Sequence, residues 1–341
     1  MTSNPILSTT PTPMPVQPRT SRALTLVRDF ALVPALVLAV IVGALVNPAF
    51  LSPSNLTNIL QQSAELLLVV IGLTLILLVG RIDLSLESTF GLAPMVAGLL
   101  VIGTVGGGLG VELNGFVGIL IALLVGALVG TLNGTLVVYT RLNAFVVTLA
   151  MLILLRGIVL GLGGGRTLFA LPPEFAYLGS GKVFGVPVSV IIAGAVFAVA
   201  WLLLSRHRLG RALYAVGGNS GAARAAGVRV DLVIWSVFII AGMLAALAGV
   251  IQAGRLGAIT AIQGQNLIFT AFASAVIGGI SLNGGRGSIF GALTGVLFLG
   301  VVSNILVLAQ IPSFWIDASY GLIILVALII SRYTSGKPQE L

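Results

Sequence analysis

Ten apolar runs follow one another along the chain, at residues 30–46, 56–79, 84–105, 116–138, 145–162, 186–204, 232–251, 267–280, 289–309 and 314–330, separated by Gly, Pro, Asn or charge. A helix needs about 20 residues to cross the hydrocarbon core of a bilayer, and within that core every backbone amide must find its partner inside the chain. The succession predicts an all-α polytopic integral membrane protein of about ten transmembrane helices. Two runs stand apart. The one at 56–79 opens with Asn58, Gln61, Gln62 and Glu65, and the one at 267–280 is short, so both are candidates for discontinuous or partly interfacial helices.

The chain is 58% hydrophobic and 8% charged, which leaves too few polar groups to cover a soluble surface. A formal net charge of +8 could point to nucleic acid, but the basic residues are scattered in short interruptions and gathered on no one face, so they report topology instead. Placing the N-terminus inside puts Arg81, Arg141, the loop at 205–231, Arg286 and the C-terminal tail in the cytosol. Of the 17 Lys and Arg, only Arg166, Lys182 and Arg255 then fall outside, with Arg156 inside a span. Ten is even, so both termini are expected to be cytosolic. Residues 1–29, with Pro5, Pro11, Pro13, Pro15 and Pro18 beside Arg19, Arg22 and Arg28, read as a disordered cytosolic tail. A cleaved signal peptide fits less well, because the run at 30–46 is long and no A-x-A-like site follows it. The expected domain is 30–331, followed by a short cytosolic tail at 332–341.

The absence of cysteine excludes disulfides, thiolate metal sites and cysteine nucleophiles, and a single histidine, His207, excludes a histidine-based metal cluster. No phosphate cradle of the form G-x-x-x-x-G-K-[ST] occurs: "GSGKV" at 179–183 and "SGKPQ" at 335–339 both lack the hydroxyl residue and the spacing. The chain is therefore expected to have no catalytic residue, metal or cofactor of its own. A membrane chain of this kind that moves a solute would draw energy from a separate ATPase, using ATP and Mg, or from an ion gradient. Ion-coupled carriers bury ionisable residues along a pathway. Here only Glu65 and Arg156 lie clearly within spans, with Asp83, Glu87, Asp231 and Asp317 near their boundaries, which weighs against such a carrier and keeps it as the alternative.

The largest polar interruption, "RHRLGRALYAVGGNSGAARAAGVRVD" at 206–231, is richer than a topology signal requires. Gly217, Gly218 and Asn219 read as a break or N-cap, and "SGAARAAG" as a helix of about two turns closed by Gly227. That helix would present Ala222, Ala223, Ala225 and Ala226 with Arg224, small side chains suited to a partner's cleft.

These residues resemble the membrane permease subunits of ribose-type ABC sugar importers. "RLGRALYAVGGNSGAARAAGV" is similar to that family's ATPase-coupling loop, which implies roles for Arg211, Tyr214, Gly217, Gly218, Asn219, Ala222, Ala223, Arg224 and Gly227. Three further blocks agree in order: "LVGRIDLSLES" at 78–88, "NAFVVTLAMLILLRGI" at 143–158 and "AVIGGISLNGGRGSIFGALTGVLFLGVVSNIL" at 275–306. They carry the family-motif residues Asp83, Ser85, Gly278, Gly279, Ser281, Gly284, Gly285 and Gly287. The resemblance implies a homodimer of permeases, each copy holding a cytosolic ATP-binding subunit, fed by an extracytoplasmic sugar-binding protein across a bacterial inner membrane. The imported solute is expected to be a pentose or hexose, with branched-chain amino acids as an alternative. Departures accompany the match. Arg81 and Glu87 stand where the family has glycine, and Ile268 and Thr270 occupy its usual acidic positions.

A sugar path needs hydroxyl, amide or charged groups, and the spans offer Thr74, Asn133, Thr148, Arg156, Thr270 and Asn304. Each has a rival reading: Arg156 as a partner of Glu65 or of backbone carbonyls, Asp83 and Ser85 as N-caps of the helix beginning at 84, the others as bonds to a neighbouring helix. Gly126, Gly130, Gly134, Gly157, Gly161, Gly291 and Gly295, at four-residue spacing, predict close helix packing.

Overall fold

Each apolar run folds into a helix, and the sequence sets where those helices stop. The computed structural model of the chain describes residues 32–335. The expected tail at 1–29 and the end of the C-terminal tail at 336–341 lie outside the described residues. In order, the runs give α1 (Val33–Val46), α2 (Pro53–Leu78), α3 (Leu86–Val101), α4 (Gly115–Val138) and α5 (Ala144–Gly163). A short α6 (Pro173–Ser180) and a hairpin of β1 (Lys182–Val183) with β2 (Val186–Pro187) precede α7 (Val188–Arg206). Then come α8 (Arg208–Gly218), α9 (Ser220–Ala225), α10 (Val230–Leu256), α11 (Leu267–Ile277), α12 (Ile289–Leu308) and α13 (Ser313–Ser335). The last helix runs to Ser335, past residue 331, where the membrane domain was expected to end.

Among the described residues, six helices are long and apolar enough to cross a membrane: α2, α4, α5, α7, α10 and α12. The apolar helices α1, α3 and α11 are shorter. Helix α3 stops at the glycine-rich stretch 103–110, and α11 stops at Gly278 and Gly279, where the chain turns through a positive φ. The run at 56–79, a candidate for interruption, is instead one continuous helix. It is the bundle's core, with every residue from Ser63 to Leu78 buried, as a helix apolar on all sides must be. Helix α10 crosses beside it and packs on α2, α3, α4 and α6, while α7 and α12 cover α2 from other sides.

Glycines set how closely α10 approaches its neighbours. A methyl group at Gly126 would collide with the Gly242 carbonyl, and one at Gly130 with the Phe238 carbonyl. On α3, Pro94 lacks the amide that would bond the Phe90 carbonyl, and Gly249 of α10 packs directly over that carbonyl. Gly291 and Gly295 close the α11–α12 contact in the same way, against Gly278 and Ser274. The expectation fails for Gly157 and Gly161, which have no atom within 4 Å of an added methyl. Gly130→Ala is therefore expected to destabilise the protein by about 1–3 kcal/mol, through overpacking against backbone that cannot yield. Gly157→Ala is expected to stay within about 0.5 kcal/mol. Thermal unfolding of the detergent-solubilised variants followed by fluorescence checks the contrast.

Candidate coupling junction and translocation path

The polar loop forms two helices where one was expected. Arg208 to Gly218 is helical, so Gly217 and Gly218 end α8 and make no break of their own. The break is Asn219, whose Oδ1 accepts the Ala222 amide at 2.9 Å and so caps α9. Gly227, at φ 83°, lets the chain leave α9 with the Val228 amide bonded back to the Ala223 carbonyl at 3.0 Å. Ala222, Ala225 and Ala226 are exposed, but Ala223 is only 5% exposed and faces the bundle. Arg224 reaches Asp231 at 2.8 Å, and both side chains remain half exposed.

Helix α8 joins this surface to the bundle. A methyl group at Gly217 would collide with the Leu78 carbonyl, the same oxygen that accepts the Gly285 amide at 2.9 Å. At Gly284 it would lie 2.7 Å from the Gly80 Cα, and the φ values of Gly284 and Gly285, 83° and 65°, permit so close an approach. Tyr214 Oη donates to the Gly287 carbonyl at 3.0 Å. Three sequence blocks far apart in the chain thus meet backbone to backbone beneath the bundle. Gly278 and Gly279 sit at the C-terminal end of α11, and the Ser281 amide bonds the Arg286 carbonyl at 3.0 Å across the turn.

The connection 79–85 leads inward from this junction. Asp83 Oδ1 accepts both the Ser85 amide at 2.8 Å and the Ser85 hydroxyl at 2.7 Å, and Ser85 Oγ in turn accepts from Asn133 Nδ2 at 2.7 Å. Asp83 thereby shapes the turn into α3, whose N-cap residue Ser85 makes no side-chain cap of its own. Burial pushes the Asp83 carboxyl up to about 6, against the Ser85 hydrogen bonds that lower it.

Inside the bundle the charges pair differently from the expected arrangement. Arg156 pairs with Glu87 at 3.0 Å in place of Glu65, while its Nη1 donates to the Gln263 backbone carbonyl at 3.1 Å, the other partner that was expected. Glu87 lies in the first turn of α3 and is buried, and its Oε2 accepts the Ile268 amide at 3.4 Å. Glu65 binds Arg255 through both oxygens, at 2.6 and 2.9 Å. Because α10 runs to Leu256, Arg255 belongs to its last turn, not to a loop.

The proposed path residues do not form one cluster by hydrogen bonding. Asn304 exchanges bonds with Asn55 at 2.8 and 2.9 Å, joining α12 to α2. Thr148 Oγ1 donates to the Ala144 carbonyl of its own helix at 2.8 Å. Thr270 is half-buried on α11, where its carbonyl accepts the Ser274 hydroxyl. Among the described residues, Thr74 Oγ1, Asn133 Oδ1 and Gln263 Oε1 are buried polar atoms without a partner, unusual in a native interior. Gln263 lay outside the sequence expectation, since an amide in a short connection has no periodic signal. Among the described residues no group of His, Cys, Asp and Glu is placed to hold a metal ion.

A family described as "Branched-chain amino acid transport system / permease component" matches residues 55–331. The ribose import permease of Escherichia coli K12 is 38% identical over 90% of this chain and 94% of its own, and that of Haemophilus influenzae 36% identical over 89% and 93%. The D-allose transport system permease of E. coli is 36% identical over 88% of this chain and 90% of its own. No solved structure matches. Relatives this similar over nearly the whole chain, with a family match that spans the bundle from α2 to α13, place the chain in the transport-system permease-component family, as a permease of the ribose type.

Proposed function

We propose that this chain is the transmembrane subunit of an ATP-driven ABC importer that moves a monosaccharide into the cytoplasm. It is a multi-pass protein of the bacterial inner membrane and a transport subunit, not an enzyme. In this reading the chain has no nucleotide site of its own. Two copies pair, each docks a cytosolic ATPase through α9, and an extracytoplasmic protein delivers the sugar. The observation that carries the reading is the glycine junction. The capped helix α9 follows α8, whose Gly217 packs on the backbone of 78–80 and 284–285, so a push on α9 reaches the end of α2 and the connection between α11 and α12.

The path would run past Arg156 and the unpartnered Thr74, Asn133 and Gln263 groups, where sugar hydroxyls or water can bond. A second reading, a branched-chain amino acid as the solute, is favoured by the description of the matching family. Proteoliposomes holding the chain with its ATPase and binding protein test both. ATP-dependent uptake of labelled ribose is expected, with pentoses or hexoses competing and leucine not competing. Competition by leucine alone selects the second reading, and uptake driven by a proton or sodium gradient with no ATPase present overturns the importer.

A further inference from the structure

A groove of about 400 Å³ opens between α2, α7, α8 and α10, a volume within the roughly 300–1,000 Å³ of small-molecule sites. Its walls include Ile71 and Leu75 of α2, Val199 and Leu203 of α7, Leu213 of α8 and Val237 of α10. The one side-chain hydroxyl among them, on Ser236, is already committed to the Val233 carbonyl at 2.9 Å. Such a wall offers a sugar nothing to bond, so the groove is no part of a sugar path. Val199 is 59% exposed and Ile240 43%, so the groove opens sideways on an apolar face.

Most wall residues of α2, α7 and α10 lie in the halves of those helices nearest the 206–231 loop, and Ala195, Val196 and Leu244 extend the groove to about the middle of α7 and α10. At that end stand Arg206, closing α7, and Arg208 and Arg211 on α8, all exposed. Arg156, Arg224 and Arg255 each have a carboxylate partner, and the three at the groove have none among the described residues. Asp231, the acid that follows the loop, is held by Arg224. Helix α8 is amphipathic, burying Leu213 and Val216 while Arg208 and Arg211 face outward, as a helix lying at the headgroup level does.

We propose that the groove holds an acyl chain of an anionic phospholipid whose phosphate is bound by Arg206, Arg208 and Arg211. An apolar slot lined by Leu204, Leu209 and Gly210, near neighbours in the chain of three arginines without a carboxylate partner among the described residues, matches that molecule at both ends, by burial of the chain and by charge-assisted hydrogen bonds to the phosphate. The proposal rests on the membrane placement of the bundle and is independent of ATPase docking.

Native mass spectrometry of the full chain in detergent, with phosphatidylglycerol and phosphatidylcholine of identical acyl chains as competing probes, tests it. Roughly tenfold or greater preference for phosphatidylglycerol is expected, since each arginine near the surface adds several-fold. The Arg206→Gln, Arg208→Gln variant is expected to lose most of that preference, and Val199→Trp, which fills the exposed mouth, to bind both lipids less. Equal retention of the two lipids by the wild type, a reading that needs no variant to fold, overturns the proposal. An undiminished preference in the arginine variant overturns it too. So does efficient cross-linking of Val199→Cys into dimers in native membranes, which would mean that a second copy covers the groove. The chain has no cysteine, so that thiol is unique.

Discussion

Glu87→Leu is expected to destabilise the protein by about 3–5 kcal/mol, because it strands the Arg156 guanidinium in the interior. The side chains of the pair are 8% and 18% exposed, so water replaces the lost partner only in part. The double variant Glu87→Leu, Arg156→Met removes both charges and is expected to recover most of that loss. Fluorescence-detected thermal unfolding reads stability, and uptake in proteoliposomes reads function. A stable double variant whose ATP-driven uptake has fallen roughly tenfold or more assigns Arg156 to the sugar path. Recovery of uptake along with stability makes the pair a structural tie between α3 and α5.

The same pair bears on Ile268, one of the two positions that the resemblance marks as usually acidic. Glu87 accepts the Ile268 amide, so a buried carboxylate already stands at the start of α11. Arg156 keeps a counter-charge supplied from a different helix. The sign of one substitution should therefore depend on its background. Ile268→Glu is expected to destabilise the wild type, where a second carboxylate would be buried, and to restore part of the stability lost in Glu87→Leu. The thermal midpoints of the single and double variants decide this.

Period and length made the helices legible, because a bilayer leaves apolar runs few alternatives. The limits of α4, α5 and α12 fall within two residues of their runs, since Asn114, Asn143 and Ser288 cap their starts. What escaped was pairing across sequence. Asp83 looked peripheral because connections were taken to lie outside the bundle, whereas the 79–85 connection buries Asp83 and Ser85 and leaves Arg81 exposed; Glu87 and Arg255 looked so because they stand in the end turns of their helices. The glycines show the same limit. Four-residue spacing marks a face that can approach a neighbour, and it marked Gly157 and Gly161 as readily as Gly130, although only Gly130 meets another helix. In the polar loop the helix former signals and Asn219 were readable, but the role of Gly217 was not. A glycine at a helix end reads as a terminator, and here it is small because the Leu78 carbonyl lies against it.

Ala222→Trp, on the exposed face of α9, is expected to weaken co-purification of the ATPase at least about 30-fold, the loss that a central interface contact of 2 kcal/mol implies. Its thermal midpoint should match the wild type, because the side chain projects into solvent in the isolated chain. Arg224→Glu is expected to act alike, since the exposed Arg224–Asp231 pair that it breaks contributes less than about 1 kcal/mol to folding. Ala223→Asp would not discriminate, because it buries a charge and fails by unfolding. Gly217→Ala should separate docking from transmission. It leaves the exposed face of α9 intact and forces α8 away from the Leu78 carbonyl, so the ATPase is expected to stay bound while ATP-driven uptake is lost. Normal uptake in a well-folded Gly217→Ala protein would mean that motion of α9 reaches the bundle by some route other than the glycine junction.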